Sequence, residues 1–565
     1  MIHTRSEKYI FAIILVLTIS GCSKNLDLHP QDTISDVTYW KSATDYIYAA
    51  NNLYLSLPGF SFEDTESDIA FNVANEVSNG TLLPPEVDSD WNTPYAYIRR
   101  CNNIIEKSDT SPIKNEILRY VAEAKFFRAF NYWKLYRLYG GVPLITSVLN
   151  VNSEELYYPR EERQTIIDFI LNDLTECVAD LPENDELKSN EIGRITKGAA
   201  NALKARIALY EGTWRKYHGE SDGANYLNLA LEASEEVINS AKYSLFTGKG
   251  EESYRYFFTE PGDDSPECIL DRRYESEVTS SKNIFPQLIQ REGYLPTKKL
   301  ADMYLCSDGL PINKSDKFEG YKTKVSEFKN RDPRMTMTMM VPGTVYFQPL
   351  FSDPMENWPF YPQRVPNTGY IMFKYMSDDA KAIMYTEGQT RWYSYDHHII
   401  RYAEVLLIYA EALYEINGTI SDEELDRSIN LIRHRAGMPH LNNAFVATNG
   451  LEMKEELRRE RTIELAMEGF RYDDLRRWKT AETELPKAIR GINIVHSDWT
   501  DPIIIGGSDK NPYAQDFWQN STDEDGFIIC EPEINRTFDP NKHYLRPIPT
   551  KEIRINQNLI QNPNW

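Results

Sequence analysis

The chain has 565 residues, with 62 Lys and Arg against 85 Asp and Glu, a formal net charge of −23 and a pI near 5.0. That balance excludes a nucleic-acid backbone or an anionic membrane surface as the main partner and leaves neutral or cationic ligands open. The length exceeds the usual limit of one core, yet no Pro/Gly/Ser-rich linker divides it, so one large unit or two intimately packed lobes is expected.

At the N-terminus, Arg5 and Lys8 precede an apolar run from Ile10 to Ile19 that is too short to span a bilayer. Ile19-Ser20-Gly21-Cys22 resembles a bacterial lipobox. The resemblance implies that residues 1–21 are a lipoprotein signal peptide and that Cys22, acylated with palmitate-type chains, is the first mature residue. Ser23 is not the Asp that favours inner-membrane retention, which points to the outer membrane. Residues 22–35 are polar and aperiodic and read as a tether. The five remaining cysteines are odd in number and widely spaced with no CxxC, so neither a disulfide framework nor a zinc site is expected. Cys101 and Cys177 read as small buried apolar residues.

A helix is expected from about Asp36 to Ser56, ended by Pro58-Gly59. Residues 60–90 are acidic and turn-rich without helical period and read as a long surface loop. Helices are then predicted over 91–107, 116–139, 165–179, 196–211 and 226–240. The second is strongly aromatic (Phe126, Phe130, Trp133) and is stopped by Gly140-Gly141-Val142-Pro143. The fourth carries small residues at Ala199, Ala200, Ala202, Ala205 and Ala208. Such antiparallel pairs are similar to tetratricopeptide repeats. The segments 250–293 and 341–395 are turn-rich and aromatic, and loops on a rigid scaffold are where binding residues sit.

The C-terminal region returns to helical period. Tyr402, Val405, Leu406, Tyr409 and Leu413 form one apolar face, ended at Gly418. Ser421 and Glu424 make a capping box for a second helix closing at Gly437, with Pro439 beyond. A third helix is expected to run through to Trp478, with Ile463, Ala466, Met467 and Phe470 inward. Its other face alternates Glu455, Arg458, Arg459, Glu460, Arg461, Glu464, Glu468 and Arg471, an ion-pair lattice on a partly covered helix.

Catalytic signatures are weak. Gly248-Lys249-Gly250 lacks the spacing of a phosphate loop and reads as a turn, and there is no Gly-x-Ser-x-Gly or His-Glu-x-x-His. Glu404, Glu411, Asp473 and Asp474 are the carboxylates to weigh as an acid/base pair, but Arg401, Arg471, Arg476 and Arg477 favour structural ion pairs. His397-His398 reads as a structural or solvated pair, because a metal or base role needs carboxylates converging on it. Asp523-Glu524-Asp525-Gly526 lacks calcium-loop spacing and reads as a solvated turn. No metal or cofactor is expected. Carbohydrate capture is the positive expectation: Trp358, Tyr361, Tyr274 and Trp392 offer flat ring faces, while Arg364, Asp68 and Asn79 offer hydroxyl-bonding groups.

Three stretches, RYAEVLLIYAEAL, IRHRAGMP and ERTIELAMEGFRYDDLRRW, resemble the C-terminal signature of the SusD/RagB family of outer-membrane nutrient-binding lipoproteins. AEAKFFRAFNYWKLYRLYGGVPLI, GRITKGAANALKARIALYEGTW and the terminal YLRPIPTKEIRINQNLIQNPNW resemble other parts of the same family. The resemblance implies a mostly α fold of tetratricopeptide-like repeats with a loop-rich ligand-binding lobe. It divides into an N-terminal helical-repeat region over 36–250 and a C-terminal region over 251–565, with ligand loops at about 251–293 and 341–395. It further implies a lipid-anchored, surface-exposed, non-catalytic protein that binds an oligosaccharide and passes it to a SusC-like TonB-dependent transporter. A peptide-binding RagB-like uptake lipoprotein and a surface-tethered glycan hydrolase are the alternatives.

Overall fold

The computed structural model describes residues 39–275, 283, 285, 289, 294–342, 344, 368–377, 393–494 and 522–565, together with the strand backbones at 503–505 and 508–510. The expected lipidation site Cys22 and the ligand candidates Trp358, Tyr361, Arg364 and Trp392 lie outside the described residues.

Eighteen α-helices among the described residues make this a mostly α fold. The N-terminal half is a series of antiparallel helices: α1 (Ala43–Leu53), α2 (Glu76–Asn79), α3 (Ser89–Asp109), α4 (Lys114–Tyr139), α5 (Arg163–Cys177), α6 (Lys197–His218) and α7 (Gly223–Asn239). Local chemistry sets their ends. The Asp88 carboxylate accepts from the Asp90 amide at the start of α3, the Thr196 hydroxyl accepts from the Ala199 amide at the start of α6, and Gly219 closes α6 in the left-handed region at φ 78°.

Short α8 (Ser253–Phe257), α9 (Lys298–Met303) and α10 (Pro333–Thr338) follow. The C-terminal helices are α11 (Tyr402–Asn417), α12 (Asp422–Asp426), α13 (Ile429–Arg435), α14 (Asn443–Thr448), α15 (Met453–Glu464), α16 (Arg471–Arg477), α17 (Ala481–Glu484) and α18 (Thr550–Ile555). The strands occur in antiparallel pairs: β1 (Ala70–Phe71) with β3 (Leu295–Pro296), β2 (Cys268–Arg272) with β4 (His397–Arg401), β5 (Ile489–Asn493) with β8 (Phe527–Glu531), and β6 (Ile503–Ile505) with β7 (Ser508–Lys510).

Two apolar cores result. The larger joins α1, α3 to α7 and α11 to α16; the smaller gathers Phe and Tyr residues of the loop-rich lobe with the four methionines from Met335 to Met340 and with β5. In α4, Phe126, Phe127, Tyr132 and Tyr136 are fully buried, each worth roughly 1.5–3 kcal/mol of burial. The C-terminal region contributes to both cores, so α11 packs with α6, α7 and α15 rather than with its own lobe alone.

Three expectations change on contact with the tertiary structure. Residues 60–90 are not a surface loop: Asp64, Ser67, Asp68, Ile69, Ala70 and Phe71 are buried, and β1 and α2 form within them. The third C-terminal helix, predicted to run through to Trp478, breaks into α15 and α16, with Met467 at φ 66° and Gly469 at φ 86° between them. Charged side chains of both signs replace the lost helical hydrogen bonds. Arg401 donates to the Glu464 carbonyl, Lys374 to the Ala466 carbonyl, and Asp64 accepts from the Gly469 and Arg471 amides. The second C-terminal helix likewise divides into α12 and α13, although its Ser421–Glu424 capping box and the Gly418 stop form as expected.

Gly80 ends α2 at φ 77°, and a Cβ there would stand 2.2 Å from the Thr537 carbonyl oxygen. Gly80→Ala is therefore expected to cost on the order of 2–3 kcal/mol through strained backbone and overpacking, read as a lower denaturation midpoint with no change in slope.

Candidate functional site

A cleft of about 380 Å³ opens where α4 meets the segment after α1 and the edge of the loop-rich lobe. Its floor is Phe130, Trp133 and Lys134 of α4, and its far wall includes Phe285, Tyr375 and His397. Alternation of apolar and basic residues along one stripe of α4 is what turns rings and cations to the same opening.

Phe60 organises the aromatic wall. It stacks on Phe285 (centroids 4.8 Å, planes at 14°) and on Tyr274 (5.7 Å, 30°), and meets Tyr375 and Tyr395 edge-on. Tyr274 is partly exposed. Its amide donates to Asp396 Oδ1 at 2.7 Å, and the Arg272 guanidinium lies over its ring at 5.7 Å. Gly59 makes room for it, since a Cβ would sit 2.9 Å from the Tyr274 hydroxyl. His397 closes the wall: its Nδ1 donates to the Pro58 carbonyl at 3.1 Å, and burial pulls its pKa down to about 4, so the ring is neutral.

The opposite wall is charged. Arg137 bridges Glu63 at 3.3 Å and Asp473 at 3.1 Å, while Arg546 reaches Glu66 and, at 3.0 Å, Asp90. Lys134 makes no ion pair among the described residues, and burial, followed by the charge of Arg137, pulls its pKa down. The cleft thus combines ring faces with several donors and acceptors, a composition suited to a polyhydroxylated ligand.

Behind it lies a buried guanidinium–carboxylate lattice. Arg401 is 2% exposed and donates to Glu267, Glu464 and Glu468 at 2.7–2.9 Å. Arg334 joins Asp332, Glu460 and Glu464 at 2.7–2.9 Å, and Arg435 joins Glu267 and Glu464. Burial pushes the Glu464 carboxyl up, but Arg435, Arg401 and Arg334 outweigh it and hold the group far below the usual range. At Glu411 burial is again outweighed, by Arg477 and Arg461, and the pKa falls to about 2. Glu404 is clamped by Arg206, and Asp474 by Arg461 and Arg477. The carboxylates weighed in the sequence are structural ion pairs, more deeply covered than their alternation suggests.

Of the sequence-derived ligand candidates with described positions, Tyr274 alone comes near the cleft: it backs the aromatic wall by stacking on Phe60, which lines the opening. Asp68 is 4% exposed and bound bidentately by Arg471 at 2.8 and 2.9 Å, so its carboxylate belongs to the interior lattice rather than to a displayed loop. Asn79 donates to Glu531 at 3.0 Å and accepts from the Thr81 amide, which spends its amide on joining α2 to β8. Both follow from the inward course of residues 60–90. The sequence reading missed Phe60, Lys134 and Arg137, whose shared opening exists only once α4 and the 58–66 segment are brought together.

The comparisons with known proteins agree with this architecture. Residues 267–565 match the family model described as "SusD family", and residues 37–209 match one described as "Starch-binding associating with outer membrane". A SusD-like protein, P38, of Formosa agariphila is 24% identical over 85% of this chain and 93% of its own length. Among solved structures, a SusD-like carbohydrate-binding protein of Bacteroides fragilis superposes with a TM-score of 0.74 at 24% identity, covering 93% of this chain and all of its own. A laminarin-binding SusD-like protein superposes with a TM-score of 0.58 at 20% identity, covering 93% and 99%. With more than half of its length matched by the family model and the tetratricopeptide-like helical fold in place, the chain belongs to the SusD family.

Proposed function

We propose that this protein is a cell-surface glycan-binding lipoprotein of the outer membrane, lipidated at Cys22, that captures oligosaccharides and delivers them to a SusC-like TonB-dependent transporter. The observation that carries the reading is the match of residues 267–565 to the SusD family, supported by the laminarin-binding relative of the same fold. The cleft adds a physical rationale. Sugar rings have apolar faces that pack on Phe60, which Tyr274 backs by stacking, and hydroxyl edges that bond Lys134, Arg137 and Glu63. Trp358, Tyr361, Arg364 and Trp392 are proposed to complete the site from the 341–395 segment.

The binding is non-catalytic. A glycosidase needs one carboxylic acid with a raised pKa facing the scissile bond and a second carboxylate opposite it. Glu404, Glu411 and Asp474 are held by arginines. Burial pushes up Asp64 to about 7, Asp263 to about 8 (helped by the charge of Asp396) and Asp396 to about 6 (helped by that of Asp271), but each accepts backbone amides, from Gly469 and Arg471, from Asp396 and from Tyr274 respectively. They brace the chain rather than present an acid to the cleft.

Isothermal titration against an oligosaccharide panel tests the reading. Tyr274→Ala is expected to weaken the best ligand about tenfold, the equivalent of losing roughly 1.4 kcal/mol of ring contact, and Trp358→Ala to weaken it at least as much. A response to a peptide library with none to glycans would favour a RagB-like peptide carrier instead.

A further inference from the structure

His398, at the edge of the cleft, and the strand opposite it bring together three donors of different kinds that the glycan contacts proposed above leave unassigned. The His398 ring stacks on Phe257 at 4.2 Å, and its Nε2 lies 2.8 Å from the Phe257 carbonyl oxygen. A carbonyl only accepts, so Nε2 carries hydrogen. The other nitrogen, Nδ1, faces Asp271 Oδ1 at 2.9 Å and Cys268 Sγ at 3.5 Å, and all three donor atoms lie within 4.8 Å of one another. His398 and Asp271 are 8% exposed.

The backbone is shaped for this meeting. Residues three apart point to opposite faces of a regular strand. The register between β2 and β4 is irregular between Cys268 and Leu270 and again between Leu270 and Asp271, and these shifts turn Cys268 and Asp271 towards the same histidine. A nucleophilic relay is excluded, because it needs thiol and carboxylate on opposite ring nitrogens, and here both face Nδ1.

A tetrahedral zinc site asks for a spacing near the 3.5 Å found between Sγ and Nδ1 and wider than the 2.9 Å found between Oδ1 and Nδ1, which an ion replacing that contact would open. With Zn–N and Zn–O near 2.0–2.1 Å and Zn–S near 2.3 Å, donors should stand roughly 3.3 Å apart for N and O and roughly 3.6 Å apart for S and N. The hydrogen on Nε2, given to the Phe257 carbonyl, is the outer contact that orients metal-ligating histidines. We propose that Cys268 Sγ, Asp271 Oδ1 and His398 Nδ1 bind one zinc-class divalent ion, with water in the fourth position. Binding displaces the thiol proton and any proton on Nδ1 to solvent, and the thiolate selects against calcium and magnesium. The ion clips β2 to β4 at the root of the wall that carries Tyr274 and His397. Wide sequence spacing hides the set: Cys268 and His398 are joined by strand pairing rather than by a short motif.

The full chain, extracted from membranes and stripped with a chelator, is titrated with cobalt(II). The expected result is one equivalent bound, with a tetrahedral d–d spectrum and a thiolate-to-cobalt charge-transfer band that zinc abolishes. Cys268→Ser removes the charge-transfer band, and His398→Gln weakens cobalt binding at least tenfold. The wild-type spectrum decides alone if either variant fails to fold. No charge-transfer band in the wild type, or an unchanged band in Cys268→Ser, overturns the site.

Discussion

Arg401→Leu is expected to be the most damaging single substitution in the described protein. Its guanidinium makes five charge-assisted or carbonyl bonds, to Glu267, to both the side chain and the carbonyl of Glu464, and to Glu468. The side chains of all three glutamates are covered, so leucine would strand carboxylates with less compensation and unsatisfy the turn that joins α15 to α16. Breaking a buried pair by removing one partner costs about 3–5 kcal/mol, a large share of the 5–15 kcal/mol that holds a typical domain. Arg401→Lys should recover little, since an ammonium cannot span three acceptors in one plane. Urea unfolding checks this; a midpoint within 0.5 kcal/mol of wild type, a margin typical of surface changes, would show that the lattice is not what holds the two cores together.

Stability should peak in mildly acid solution. Glu411, Glu464, Glu468, Glu460, Asp473 and Asp68 all have folded pKa values depressed by arginine or lysine partners that outweigh burial. Their contribution is complete above the unfolded carboxylate range, near 4–4.5, and is lost as pH falls through the folded values. For Glu411, at about 2, the loss is on the order of 3 kcal/mol. Asp64 has the opposite sign. Burial raises it to about 7 against two backbone hydrogen bonds, so its contribution is full below about 4 and disappears as pH rises through 7. Unfolding free energy followed from pH 8 to pH 2 should therefore rise modestly towards pH 5 and then fall steeply below about 4.5. A profile that is flat between pH 5 and 2 would contradict the ion-pair assignment.

Much of the helical framework was legible in the residues, because its signals are local. Gly140 and Gly418 stop helices, Thr196 and Ser421 start them, and the aromatic stripe of α4 and alanine stripe of α6 name the faces that pack, although α6 runs on past the expected end at 211 to His218. What was not legible depends on partners far along the chain. The break between α15 and α16 hides inside an unbroken amphipathic period, since Met467 takes a left-handed conformation only with Arg401, Lys374 and Asp64 in place. The polarity of residues 60–71 looks like exposure until the Arg471 guanidinium and the amides of residues 469 and 471 claim the carboxylates of Asp68 and Asp64. The same holds at the site: Tyr274 was recognisable as a displayed aromatic, whereas Asp68 and Asn79 were taken inward by Arg471 and Glu531. Phe60, Lys134 and Arg137 face one opening only because α4 and the 58–66 segment meet in space.

The central claim is that the protein holds glycans without changing them. The most direct test combines one titration with one assay on the same sample: calorimetry against an oligosaccharide panel that includes β-glucans and starch fragments, followed by incubation of each bound glycan and measurement of new reducing ends. The account predicts saturable binding of at least one glycan, weakened by Tyr274→Ala, with no new reducing ends over many hours. Glycan cleavage, or the absence of any glycan response while peptides bind, would contradict it.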